Sequence, residues 1–66
     1  MIWDEVVFLL GDFAILRSIR LFDTGFNCYE RSYPGSDEFK KINPIANYFI
    51  TFEAAMEYLD KYKEKR

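Results

Sequence analysis

Tyr29, Arg31 and Tyr33 alternate along "FNCYERSY", residues 26–33. In a strand, successive side chains point to opposite faces, so these three would project from one side. Aromatic rings beside a guanidinium can do two kinds of work. They supply much of the binding energy at protein interfaces, and they stack the bases of single-stranded nucleic acid. Arg17 and Arg20, just upstream, could add charge to either. The competing reading is structural: the tyrosines cover the sheet and Arg31 pairs with a nearby acid. The stretch lacks the glycine-and-aromatic signature of an RNA-recognition motif. The chain has a formal net charge of −2 and so offers no broad basic field for a phosphate backbone. A protein partner, contacted through Tyr29, Arg31, Tyr33, Arg17 and Arg20, is therefore the expectation. A nucleic-acid module on the same face is the alternative.

Little else in the chain points to catalysis. Cys28 is the lone cysteine, and with no histidine there is no imidazole to draw off its proton. A buried, inert thiol is predicted. One cysteine cannot close an internal disulfide, and a zinc site wants four ligands of a kind this chain lacks. No metal and no cofactor are expected. Glu53, Glu57, Asp60 and Glu64 read as a solvated helix face rather than an acid–base pair, since so short a chain has little room for a cleft. Gly11, Gly25 and Gly35 are isolated at turn signals and form no phosphate-binding cluster. The basic tail "KYKEKR" carries glutamate among its lysines and reads as a helix end in water. The expected activity is binding, not an enzyme's.

The elements that would position these residues follow from periodicity. "TFEAAMEYLDKYKEKR" sets Phe52, Ala55, Met56, Leu59 and Tyr62 at helical spacing, which predicts a helix over residues 52–64. Thr51 is its N-cap, Glu53 suits the positive end of the macrodipole, and Glu57 and Lys61 make an i,i+4 pair. Residues 13–22, "FAILRSIRLF", favour a strand. "DTG" at 23–25 predicts a turn, after which residues 26–33 return as the partner strand. Phe26 and Cys28 would then face the core. "PGSDEFKKINP" reads as a loop with a turn of helix around residues 37–42, and residues 47–50 as a short strand feeding the helix. Residues 2–10 are open between strand and helix. The unbroken apolar run at 6–10 and a "GD" suited to a type II′ hairpin tip the balance towards strand.

These elements add up to one α+β domain of 66 residues, a small antiparallel sheet of three or four strands packed against one C-terminal helix. Half the residues are apolar and 20% are aromatic, a composition that buries rather than one that stays disordered. One helix covers one sheet face. The apolar side chains of residues 6–10, with Ala14, Leu16 and Phe22 on the even side of the second strand, exceed what it can hide. A contiguous exposed apolar patch of this kind marks an interaction site. Self-association through Leu16, Phe22 and Phe8 is predicted, with a two-fold dimer as the default. A small-molecule or nucleotide pocket between subunits is a further alternative.

The N-terminus opens with Asp4 and Glu5 where a secretory signal would be basic, and the apolar run is far short of a membrane span. With an unpaired cysteine, this predicts a cytoplasmic protein without membrane contact. The strand leading straight into a Thr-capped helix in "YFITFEAAMEYLDKYK", with the Tyr/Phe-rich "GFNCYERSYPG", resembles small bacteriophage and prophage accessory proteins. That resemblance carries over no catalytic residue. It implies a protein that binds a host or defence protein and blocks or modifies it.

Overall fold

The computed structural model describes residues 4–20, 23–44 and 49–65; the side chains of Arg20, Asp23 and Thr24 lie outside that description. Four strands form one antiparallel sheet in sequence order: β1 (Asp4–Leu10), β2 (Phe13–Arg20), β3 (Asp23–Arg31) and β4 (Phe39–Lys41). Helix α1 (Phe52–Glu64) packs on one face. The fold is the small α+β arrangement that the periodicity predicts.

The segment left between strand and helix is a strand. β1 turns into β2 through Gly11 and Asp12, with Leu10 opposite Phe13. Gly11 has a φ of 61°, the positive value that a two-residue hairpin loop needs at its first position. A bulge between Val6 and Phe8 leaves Val7 out of step with β2.

The β2–β3 connection differs from expectation. Asp23, Thr24 and Gly25 are not a turn but the first residues of β3, paired with Arg20, Ile19 and Ser18. Leu21 and Phe22, which separate the strands, lie outside the described residues, and so does the self-association role expected of Phe22. The physical reason is register. A simple hairpin closed by Phe22 and Phe26 would have set Cys28 opposite Arg20. The observed ladder sets Cys28 opposite Ile15 and Glu30 opposite Phe13, so the apolar residues of both strands share one face.

The loop expected after residue 33 also differs. Phe39–Lys41 is a strand rather than a helical turn, pairing with Arg31, Glu30 and Tyr29. Pairing satisfies part of β3's outer edge, sets Lys40 opposite Glu30, and lays the Phe39 ring under the Arg31 guanidinium at 4.7 Å. Of the short strand expected at 47–50, Phe49 forms an isolated bridge with Phe26; residues 47 and 48 lie outside the description.

The core lies between α1 and the odd-numbered side chains of β2. Ile15, Cys28, Phe49, Ala55 and Leu59 are buried together, flanked by Phe8, Phe13, Phe26 and Phe52. Phe52 meets Phe8 and Phe26 edge-on at 6.4 and 6.1 Å, and Tyr62 meets Phe13 at 6.2 Å. Such contacts add about 0.5–1.5 kcal/mol each beyond the burial itself. Two tyrosines lash the helix to the sheet: Tyr62 Oη donates to Glu30 Oε1 at 2.9 Å and Tyr58 Oη to the Ile42 carbonyl at 3.0 Å. The helix begins as predicted, with Thr51 Oγ1 accepting from the Ala54 amide at 3.2 Å. Lys61 Nζ stands 3.4 Å from Glu57 Oε1.

Candidate functional site

β3 places Tyr29 and Arg31 on the sheet face away from the helix, since Tyr29 lies opposite Ala14 while Ile15 and Cys28 face α1. Tyr29 is half-buried. Burial, and then the charge of Asp4, push its phenol pKa above the usual tyrosine value. Tyr33 lies beyond the end of the strand and is 64% exposed. Arg31 is committed within the chain. Its Nε donates to Asp12 Oδ1 at 3.0 Å, Nη2 to the Gly11 carbonyl at 3.3 Å and Nη1 to the Ser36 carbonyl. It therefore ties the β1–β2 turn to the loop after β3. A polar hollow of about 230 Å3 beside it is lined by Asp12, Glu30, Ser32, Tyr33 and Lys40. Charges of both signs line it, and it is smaller than the pockets that usually enclose a small molecule.

The arginines singled out from the sequence are not gathered. Arg17 pairs across the sheet with Phe26, on the helix side, and its guanidinium bonds Glu5 Oε1. It thus lies on the opposite face from Tyr29. Arg20 ends β2, and its side chain lies outside the description.

Cys28 is fully buried, and its Sγ donates to the Ala55 carbonyl at 3.3 Å. Burial pushes its pKa up to about 11. A nucleophilic cysteine needs the reverse, a thiolate stabilised by nearby positive charge. Among the described residues no group of three potential ligands could hold a metal ion, and no helix is long and apolar enough to cross a membrane.

The surface that stands out is one that side-chain motifs do not reveal. The two outer edges of the sheet are treated differently. On β3 the edge is closed beyond the short β4. The Phe26 and Phe49 backbones exchange hydrogen bonds at 2.7 and 3.2 Å, and the Ile42 amide donates to the Cys28 carbonyl at 2.9 Å. The Cys28 amide donates to Asn43 Oδ1 at 2.7 Å, and Asn43 Nδ2 donates to Asn27 Oδ1 at 3.0 Å. An asparagine side chain thus completes the ladder where no strand reaches. On β1, among the described residues, no strand or side chain plays this part.

That open edge is apolar. Val6, Val7, Leu9 and Leu10 are exposed, Leu9 and Leu10 by 60% and 61%. Leu9 lies opposite Ala14 and Val6 opposite Leu16, so both belong to the face away from the helix. Of the self-association residues expected from the sequence, Leu16 is half-buried beside Val6, and Phe8 is half-buried against the core with its ring on Phe52. The unsheltered surface runs along β1 itself rather than through Phe8. An unbroken apolar run was visible at residues 6–10, but that its strand would be an edge follows only from the sheet order. No protein-family model, curated protein or solved structure matches the chain.

Proposed function

We propose that the chain is a non-enzymatic protein-binding module, acting in the cytoplasm in the manner of small bacteriophage and prophage accessory proteins. It engages a host or defence protein by accepting an extended segment against the outer edge of β1. The observation that carries this reading is the β1 edge, unpaired among the described residues and bordered by four exposed aliphatic side chains. Strand addition takes its affinity from backbone hydrogen bonds and its specificity from flanking side chains. Natural proteins blunt open edges with lysine, proline, a bulge or a covering loop. β1 has no lysine and no proline, and beyond its bulge at Val7 residues Phe8–Leu10 pair regularly with β2. Tyr29, near the same face, supplies an aromatic beside the strip. A nucleic-acid reading is less favoured because Arg31 and Arg17 both spend their charge on internal acids.

The test is selection of extended peptides from a random library displayed against the protein. Recovered peptides shift the amide resonances of residues 4–10, and their affinity falls at least about tenfold in Val6→Lys and Leu9→Lys. Ile50→Lys, at an apolar side chain 87% exposed but off β1, leaves it unchanged. Peptides that perturb other residues, or that bind the β1 variants as well as the wild type, overturn the reading.

A further inference from the structure

We infer that the resident occupant of the β1 edge is a second copy of this chain, paired β1 to β1 across a two-fold axis to give one continuous eight-stranded sheet. The inference rests on the strand-addition reading and names the partner that the free protein uses.

Charge layout favours the two-fold. Asp4 and Glu5 stand at the start of β1, and residues 6–10 carry no charge. A two-fold normal to the sheet makes the pairing antiparallel. Each copy's acidic end then lies beside the other's Leu9 and Leu10. The two acidic ends are separated by nearly the strand length, about 20 Å, well over the screening length of about 8–10 Å. A parallel alignment would set the acids side by side. Glu5 is in addition neutralised by Arg17 of its own chain.

Size sets the strength. A contact confined to one seven-residue strand edge per copy is small beside the roughly 1,200 Å2 at which standard stable interfaces begin, so the dimer is transient. It leaves the edge available to a tighter foreign strand, so the two occupants compete for the same backbone groups.

Sedimentation equilibrium from micromolar to millimolar concentration tests this on the full chain. Wild type passes from monomer to dimer, and Leu9→Lys with Val6→Lys raises the dissociation constant at least about tenfold. Circular dichroism confirms that the double variant is folded. In mixed isotope-labelled and unlabelled samples, intermolecular nuclear Overhauser effects link residues 4–10 of one copy to residues 4–10 of the other. A peptide selected on β1 dissociates the dimer. A protein that stays monomeric at millimolar concentration, or a dimer whose intermolecular contacts lie elsewhere, overturns the self-pairing. Peptide capture at β1 by a strictly monomeric protein does so while leaving the binding reading standing; capture away from β1 fails that reading instead.

Discussion

Cys28 and Arg31 lie three residues apart on β3, and their neighbours give them opposite fates. The thiol is wrapped by Ile15, Ala55 and Leu59, which penalises the thiolate. That penalty is a stability term with a definite sign. Burial raises the folded-state pKa above the ordinary thiol value, to about 11. The contribution is fully present below pH 9 and is lost as pH rises through 11, because the unfolded chain sheds its proton first. The increment is on the order of 2 kcal/mol. Urea midpoints of wild type and Cys28→Ala, measured from pH 8 to pH 11, are expected to converge as the wild type loses this increment; parallel curves would refute it. Burial of this cysteine was legible in the sequence, since strand alternation sets it on the same face as Phe26. The partners of Arg31 were not. The acid is Asp12, 19 residues upstream, and the backbone carbonyls of Gly11 and Ser36 became acceptors only when the two turns met.

At the level of elements, α1 was readable to the residue because its signals are local: Thr51 caps it, and its apolar stripe repeats with the helix period. The hairpin register was not. "DTG" is a good turn by local preference, yet an eight-pair ladder that brings both apolar sets to one face outweighed it. β4 was missed for a related reason. Three residues have almost no preference of their own, and their conformation is imposed by the unpaired edge of β3. Where β4 stops, Asn43 takes over with its side chain. Asn43→Ala leaves the Cys28 amide without its acceptor in a buried setting and removes a donor to Asn27. The expected cost is about 2–3 kcal/mol. It appears as a lower denaturation midpoint and as faster hydrogen exchange at the Cys28 amide; an unchanged exchange rate would remove the edge-closing role.

The whole molecule is small enough that few side chains are fully enclosed. Ile15, Leu59 and Cys28 are the largest of them among the described residues. Leu59→Ala opens a cavity at the centre of the helix–sheet contact and is expected to cost about 2–5 kcal/mol. Against the margin of a domain this size, that leaves a substantial unfolded fraction at room temperature, visible as lost near-ultraviolet dichroism from the packed aromatics. Leu10→Ala, at an exposed site on β1, is expected to change stability by less than about 0.5 kcal/mol. Equal losses in the two variants would mean that the core is not where α1 meets the sheet.

Local preference determined the helix, the strand character of β2 and most of β3, and the burial of Cys28. Amino-acid counting determined that apolar surface would be left over. Where that surface lies was decided by the tertiary structure alone. It follows from strand order, which closes β3 with β4, Phe49 and Asn43 and leaves β1 at the rim. An edge is a property of which strands are neighbours. The backbone groups it exposes are the same in every residue, so no side-chain pattern could have marked it in advance.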